Sequence, residues 1–402
     1  MAAKKSGDEL RELSNYSYMK KNENVQNLLN MIFKETRIHD IQCIFTYTPS
    51  MYPYVELSKE SAILVWDEHF FNLFDLYIQT VMSEETYDDK VRLLQNLSLL
   101  MLSHRFDSIP SLSYAFSIMY DALNKKDEES GKTNFGYYDG SFQEVKMTDQ
   151  QLEISYFSRL FVMYHEMRHC KYKRNYADNN RHALQYLAKI RHQIYQTLNP
   201  FNMPIYVGDP EHAYMIKEIN YMIEKQNFRV IEEFMCDLFA CIDLVELLLR
   251  TYHGNKSDEI RFAYQIASTV SMFLSDSMAF FELWENIYQN KDNGEHKKYV
   301  DNAFSFYKRD REDISIDESI VNHHFRSRLL FYCLYHRYTN DDENVFFYNL
   351  FSPKQQNLLL NGQKMIIDGF HTDLLLYIER DNRKKFTQQQ CRIEKDKILH
   401  WY

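Results

Sequence analysis

Glycine and proline are scarce: 9 and 7 respectively in 402 residues, where average usage is roughly 7% and 5%. So few chain breakers exclude a loop-rich or collagen-like protein and predict long uninterrupted elements, most easily helices. The six cysteines, Cys43, Cys170, Cys236, Cys241, Cys333 and Cys391, include no CxxC pair and are dispersed along the chain. That spacing points away from a disulfide scaffold and towards reduced, buried thiols of a cytoplasmic protein. No apolar run approaches the ~20 residues that a membrane-spanning helix needs. The first residues, MAAKKSGDELRELSNYSYMKKNEN, have no apolar stretch of the kind a secretory signal carries. Positive charge is also in deficit. The net charge of −10 disfavours a nucleic-acid binder, which needs a basic face to displace counterions from phosphates. Two short basic runs, KYKR at 171–174 and NRKK at 382–385, read as solvated helix ends, where cations complement the helix dipole.

What the chain has in abundance is aromatic side chains, 31 Tyr and 28 Phe, enough for a large aromatic core. Residues 1–24 read as a polar tail. Short β-branched or aromatic runs at 41–48 (IQCIFTYT) and 61–66 (SAILVW) predict strands, with MYPYVELS between them a third. A helical region follows over about 68–125, broken near SIPS at 108–111. Asp139-Gly140, flanked by aromatic and β-branched residues, predicts a β-hairpin within 131–147. Thr148 with Gln151 three residues on forms a capping box, and the helix it starts runs to about Lys173. Further helices are expected at about 180–197, 211–226, 229–250 and 257–290, with a loop at 199–210. A shorter helix is expected within the polar stretch 291–316, and mainly helix again over 317–400. This organises the chain as a tail (1–24), an N-terminal α/β region (25–130), a core (131–255) and a helical C-terminal region (256–402).

The capped helix contains FVMYHEMRHCKY, residues 161–172. Histidines at i and i+4 lie about 40° apart on a helical wheel, so His165 and His169 can face one ion. Glu166, next to the first, can reach a water held by that ion rather than the ion itself. With 15 His in the chain, such an HExxH string arises by chance about 0.04 times per chain of this composition. The alternative, two surface histidines and a solvated glutamate, also fits poorly with a wheel on which both share a face with Ile154, Phe161 and Val162. A metzincin continuation would need Gly at 172 and His or Asp at 175, and Tyr172 and Asn175 stand there instead. A third ligand must come from elsewhere. The downstream helix VIEEFMCDLFACIDLVELLLR, 230–250, offers Glu233 with Asp237 four residues on. Both fall within roughly 60° of Val230, Cys241, Leu244 and Leu248. Glu232 falls instead with Asp243 and Glu246, on a charged side expected to be solvated. Glu233 is therefore the expected third ligand, and removal of Glu232 is expected to be mild.

HExxH followed by ExxxD resembles the signature of the gluzincin metallopeptidases. Among them HEMRH, with EFMCDLFA beginning 64 residues after its second histidine, looks most like the compact intracellular Lit-type phage-exclusion peptidases, and next the ImmA/IrrE-like regulatory peptidases. The resemblance covers about 100 residues. It implies a zincin-like core, with His165, His169 and Glu233 holding Zn²⁺, Asp237 orienting a ligating histidine and Glu166 as general base. It also implies a protein substrate, anti-phage defence by cleaving a host protein, and a regulatory or activating protein partner. A distal donor usually steadies the oxyanion in such enzymes. VNHHFRSRLLFY, 321–332, offers His323 and His324 beside Arg326 and Arg328, and His324 is preferred because it sits four residues before Arg328. The hairpin within 133–147 is the expected edge strand for an extended substrate. The fold expected is α+β, predominantly helical, with a small antiparallel sheet. The competing function is a non-enzymatic helical interaction protein with a structural or vestigial zinc, which four protein ligands would close.

Overall fold

The computed structural model describes residues 41–46, 52–57, 62–106, 147–197, 210–251, 255–289 and 350–367, with shorter pieces within 113–120 and 326–338. These residues are predominantly helical with one three-stranded sheet. Strands β1 (Ile41–Thr46), β2 (Tyr54–Leu57) and β3 (Ala62–Asp67) lie in the order β1-β3-β2. β3 is central and buried along its whole length, which explains its unbroken apolar run AILVW. Its side chains divide by parity. Ala62, Leu64 and Trp66 join the main core, and Ile63 and Val65 join a small cluster with Ile44 and Tyr54 on the opposite face.

The sheet is mixed, not antiparallel as expected. β2 pairs antiparallel with β3, Val55 opposite Leu64, since the four intervening residues suit a hairpin. β1 takes the other edge of β3 and runs parallel to it, Cys43 opposite Leu64, because β2 intervenes in sequence and frees β1 from a tight turn. The hairpin expected within 131–147 lies outside the described residues.

Helix α1 (Glu68–Met82) follows β3 directly, its first turn met by buried Asp67, whose Oδ1 accepts from Phe70 N at 3.4 Å. The helical region then breaks at 83–86, earlier than expected. There Thr86 caps α2 (Tyr87–Arg105) by accepting from Asp89 N at 3.2 Å. The expected break at 108–111 is outside the described residues. α3 (Asp149–Arg174) begins with the capping box read from the sequence: Gln151 N donates to Thr148 Oγ1 at 3.3 Å and Thr148 N to Gln151 Oε1 at 2.8 Å. α4 (Tyr176–Thr197), α5 (Pro210–Lys225), α6 (Phe228–Thr251) and α7 (Lys256–Gln289) fall close to their expected positions. The loop at 199–210 is outside the described residues except for Pro210, and the helix expected in 291–316 is wholly outside them.

One hydrophobic core runs from Val55 to Ile367 in sequence and takes residues from β2, β3, helices α1 to α7 and the pieces at 329–334 and 358–367. Aromatic residues build much of it: Trp66 stacks on Phe71 at 4.2 Å, and Phe273 packs among Phe70, Phe74 and Tyr77 at 5.1–5.8 Å. The five described cysteines are free thiols, and all but half-buried Cys43 are buried. Cys391 lies outside the described residues. Among those residues no helix is long and apolar enough to cross a membrane. For the site, the decisive contact is between α3 and α6, which pack more extensively than any other pair, with β2 against α3 as well.

Candidate metal centre

α3 is enclosed on nearly all sides where it enters the motif. Phe161, Val162, Met163 and Tyr164 are buried immediately before it, and Met167 and Cys170 within and after it, so the helix cannot turn His165 or His169 to open water. Their Nε2 atoms face each other at 3.0 Å. The Glu233 carboxylate of α6 closes the triangle, one oxygen 3.5 Å from His165 Nε2 and the other 3.6 Å from His169 Nε2. A tetrahedral ion with bonds of ~2.0–2.1 Å holds its ligands ~3.3–3.4 Å apart, so these separations suit one such ion. Glu166 offers a further oxygen, within 4.8 Å of the two histidine nitrogens. Its side chain is buried, and burial raises its pKa against the lowering pull of both histidines.

Both imidazoles are held from behind. His165 Nδ1 stands 2.9 Å from Asp237 Oδ1, and His169 Nδ1 donates to Glu232 Oε1 at 2.7 Å. A carboxylate bonded to Nδ1 fixes the tautomer whose Nε2 lone pair points at the ion; Glu232 makes that bond to His169, whereas Asp237 lies at ion-pair distance from His165 Nδ1 without the geometry of a hydrogen bond. Burial pulls both imidazolium pKa values down, but neighbouring groups outweigh it. Asp237 and Glu233 hold His165 at about 9, and Cys236, Glu233 and Glu232 hold His169 well above its ordinary value. Glu233 and Asp237 are lowered despite burial. The main cause is His169 for Glu233 and Arg326 for Asp237.

The structure thus brings His165, Glu166, His169, Glu233 and Asp237 together. It reverses the expectation for Glu232, which is 8% exposed and bonded to a candidate ligand. The charged side of α6 is solvated at Glu246 but not at Glu232 or Asp243. Those two face the seam with α3, where Asp243 takes Arg168 in a two-pronged pair and Lys173 Nζ lies 3.6 Å from Glu232. A wheel drawn for one helix does not show that its neighbour carries countercharges, although KYKR and Arg168 on α3 were the available hint.

A second residue not assigned to the centre is Arg326. It is 7% exposed and donates through Nε to Asp237 Oδ2 at 2.6 Å, with Nη2 at 2.5 Å from the same oxygen and Nη1 3.6 Å from Glu233. One cation therefore faces both buried Asp237 and half-exposed Glu233. The sequence placed Arg326 beside the His323–His324 pair without linking it to α6. His323, His324 and Arg328 lie outside the described residues. Tyr52, just before β2, also senses the site. Burial raises its pKa, with the charges of Arg105, Glu166, Arg229 and Glu233 acting on it.

A scan against protein-family models and searches of curated proteins and of solved structures return no match.

Proposed function

We propose that the chain is a zinc metallopeptidase of the gluzincin type, in which His165, His169 and Glu233 hold the ion and Glu166 is the general base. The observation that carries this reading is the triangle of two Nε2 atoms and one carboxylate at 3.0, 3.5 and 3.6 Å, each imidazole backed by its own acid. Zinc, when bound, supplies Lewis acidity, polarising the scissile carbonyl and acidifying water in its open position. Glu166 takes a proton from the attacking water and returns it to the leaving amine nitrogen as the C–N bond breaks. The raised pKa that burial gives Glu166 suits both halves of that transfer. Asp237 and Glu232 keep the imidazoles in the binding tautomer, and Arg326 holds Asp237 and Glu233 in place. His324, or His323, is the proposed oxyanion donor.

In this reading the core is zincin-like. β2 is an edge strand in the described sheet, packs against α3 and begins beside Tyr52, so it suits an extended peptide substrate added as a further strand. The resemblance to Lit-type peptidases extends the proposal to a cytoplasmic protease in antiviral defence, cleaving a protein substrate under the control of a partner protein. The competing reading, a closed structural zinc, needs a fourth protein ligand, and in it the Glu166 carboxylate, within 4.8 Å of both histidine nitrogens, would take that position.

The test is the Glu166→Gln variant, assayed on a protein cleaved by the wild type. Zinc content and far-UV circular dichroism should be unchanged while the cleavage rate falls by ~10²–10⁴ or more. An unimpaired Glu166→Gln enzyme would show that the motif is not catalytic.

A further inference from the structure

α6 begins little more than one turn before Glu233. Its second residue, Arg229, is exposed, and among the described residues its guanidinium makes no hydrogen bond or ion pair. A cation in a first turn is set against the helix dipole, and that turn holds no acid to offset it. The residues three and four further on, Glu232 and Glu233, are the partners that a helix ordinarily offers an arginine. Both are drawn away. Glu232 bonds to His169, with Lys173 Nζ 3.6 Å off, and Glu233 faces the two Nε2 atoms and Arg326. Arg229 is thus left without a countercharge among the described residues, one turn from Glu233, whose side chain is 36% exposed at the mouth of the site. Tyr52 lies at the same opening. Burial raises its pKa, and the charges of Arg105, Glu166, Arg229 and Glu233 all act on it. Tyr52 stands two residues before β2, the edge strand that suits an added peptide strand. A peptide laid along β2 with its scissile bond at the ion therefore passes Arg229. Four residues of helix rise about 6 Å and a strand advances about 3.3 Å per residue, so the guanidinium meets a side chain one or two residues from that bond.

We propose that Arg229 is a specificity-determining residue, which binds the carboxylate of an Asp or Glu side chain one or two residues from the scissile bond, so that the substrates are acidic peptide segments. The proposal rests on the metallopeptidase reading and deepens it. A guanidinium matches a carboxylate with two parallel N–H donors, and a Lys or Arg at the same substrate position would meet like charge. The preference runs against the overall charge of the chain. A net charge of −10 repels an acidic peptide at long range, so selection of acidic segments requires a local cation at the mouth. Arg229 is neither a candidate ligand nor a partner of one, so its substitution leaves the ion in place.

The experiment is cleavage of a synthetic peptide library, randomised at its central positions, by the zinc-loaded full chain, with the products read by mass spectrometry. Wild type should favour Asp or Glu over Asn or Gln by about fivefold, the upper range for an exposed ion pair, at a position one or two residues from the cleaved bond. Arg229→Gln should remove that preference, and Arg229→Glu should turn it towards Lys and Arg, both at unchanged zinc content. Arg250→Gln, at the other end of α6 where the arginine pairs with Glu246, should change nothing. A second readout needs no turnover: fluorescence anisotropy of labelled peptides of alternating Ala-Glu and alternating Ala-Gln on the zinc-loaded Glu166→Gln chain. The Ala-Glu peptide should bind more tightly, and adding Arg229→Gln should erase the difference. No cleavage by wild type, or undiminished cleavage by Glu166→Gln, overturns the peptidase reading and this proposal with it. Cleavage by wild type and not by Glu166→Gln, but with no acidic preference, with that preference intact in Arg229→Gln, or with equal binding of the two labelled peptides, overturns this proposal alone.

Discussion

Glu232 and Glu233 are neighbours in sequence with different surroundings. Glu233 has a side chain 36% exposed and reaches both Nε2 atoms from the mouth of the site, while Glu232, with 10%, is wedged behind His169. Glu232→Ala should therefore not be mild. It removes the acceptor on His169 Nδ1, and loss of such a partner costs ~10–100-fold in metal affinity. Glu232→Gln, which keeps a carbonyl acceptor, should lose less. Chelator competition on the two variants measures this, and wild-type retention in Glu232→Ala would show that the bond does not orient the ligand.

Protons compete with the ion for the same two nitrogens. His165 has a metal-free pKa raised from 6.5 to about 9. Its contacts therefore stabilise the metal-free fold fully below about 6.5 and lose that contribution as the pH rises through about 9. Zinc needs the neutral imidazole, so zinc affinity should increase over the same rise. Binding at pH 7 should release protons, seen as a dependence of the calorimetric heat on buffer ionisation enthalpy. A heat independent of buffer would contradict this protonation state.

At the scale of elements, local signals were readable and pairings were not. The Thr148–Gln151 box, the apolar run of β3 and the period of α6 are each set within a few residues, and all are legible in the sequence. The parallel pairing of β1 with β3 depends on which edge is free after β2 has formed its hairpin, which no local pattern encodes. The break at 83–86 rests on Thr86 capping α2, a signal as short as that of Thr148 but set in a region that reads as helix throughout. Helix packing gives one sharp case. A Cβ on Gly362, within the helical residues 358–367, would stand 2.7 Å from Gln95 N and 2.8 Å from the Leu94 carbonyl carbon of α2. Backbone cannot yield as a side-chain tip can. Gly362→Ala should destabilise by about 1–3 kcal/mol, read as a lower denaturant midpoint. An unchanged midpoint would mean that the two segments separate freely.

At the scale of the whole molecule, the metal centre joins parts far apart in the chain. His165 and His169 come from α3, Glu232, Glu233 and Asp237 from α6, and Arg326 lies 89 residues beyond Asp237. HExxH and ExxxD were legible because each lies within one helix and obeys its period. The roles of Glu232 and Arg326 were not, because each is defined by a partner on another segment. The continuous core from Val55 to Ile367 is what holds those segments in register. The most direct test of the central claim is zinc per chain, by elemental analysis of purified wild type and of His165→Ala, His169→Ala and Glu233→Ala after dialysis against a weak chelator. The account predicts about one zinc in the wild type and a sharp loss in each variant. Full zinc occupancy in the two histidine variants would place the metal elsewhere and contradict it.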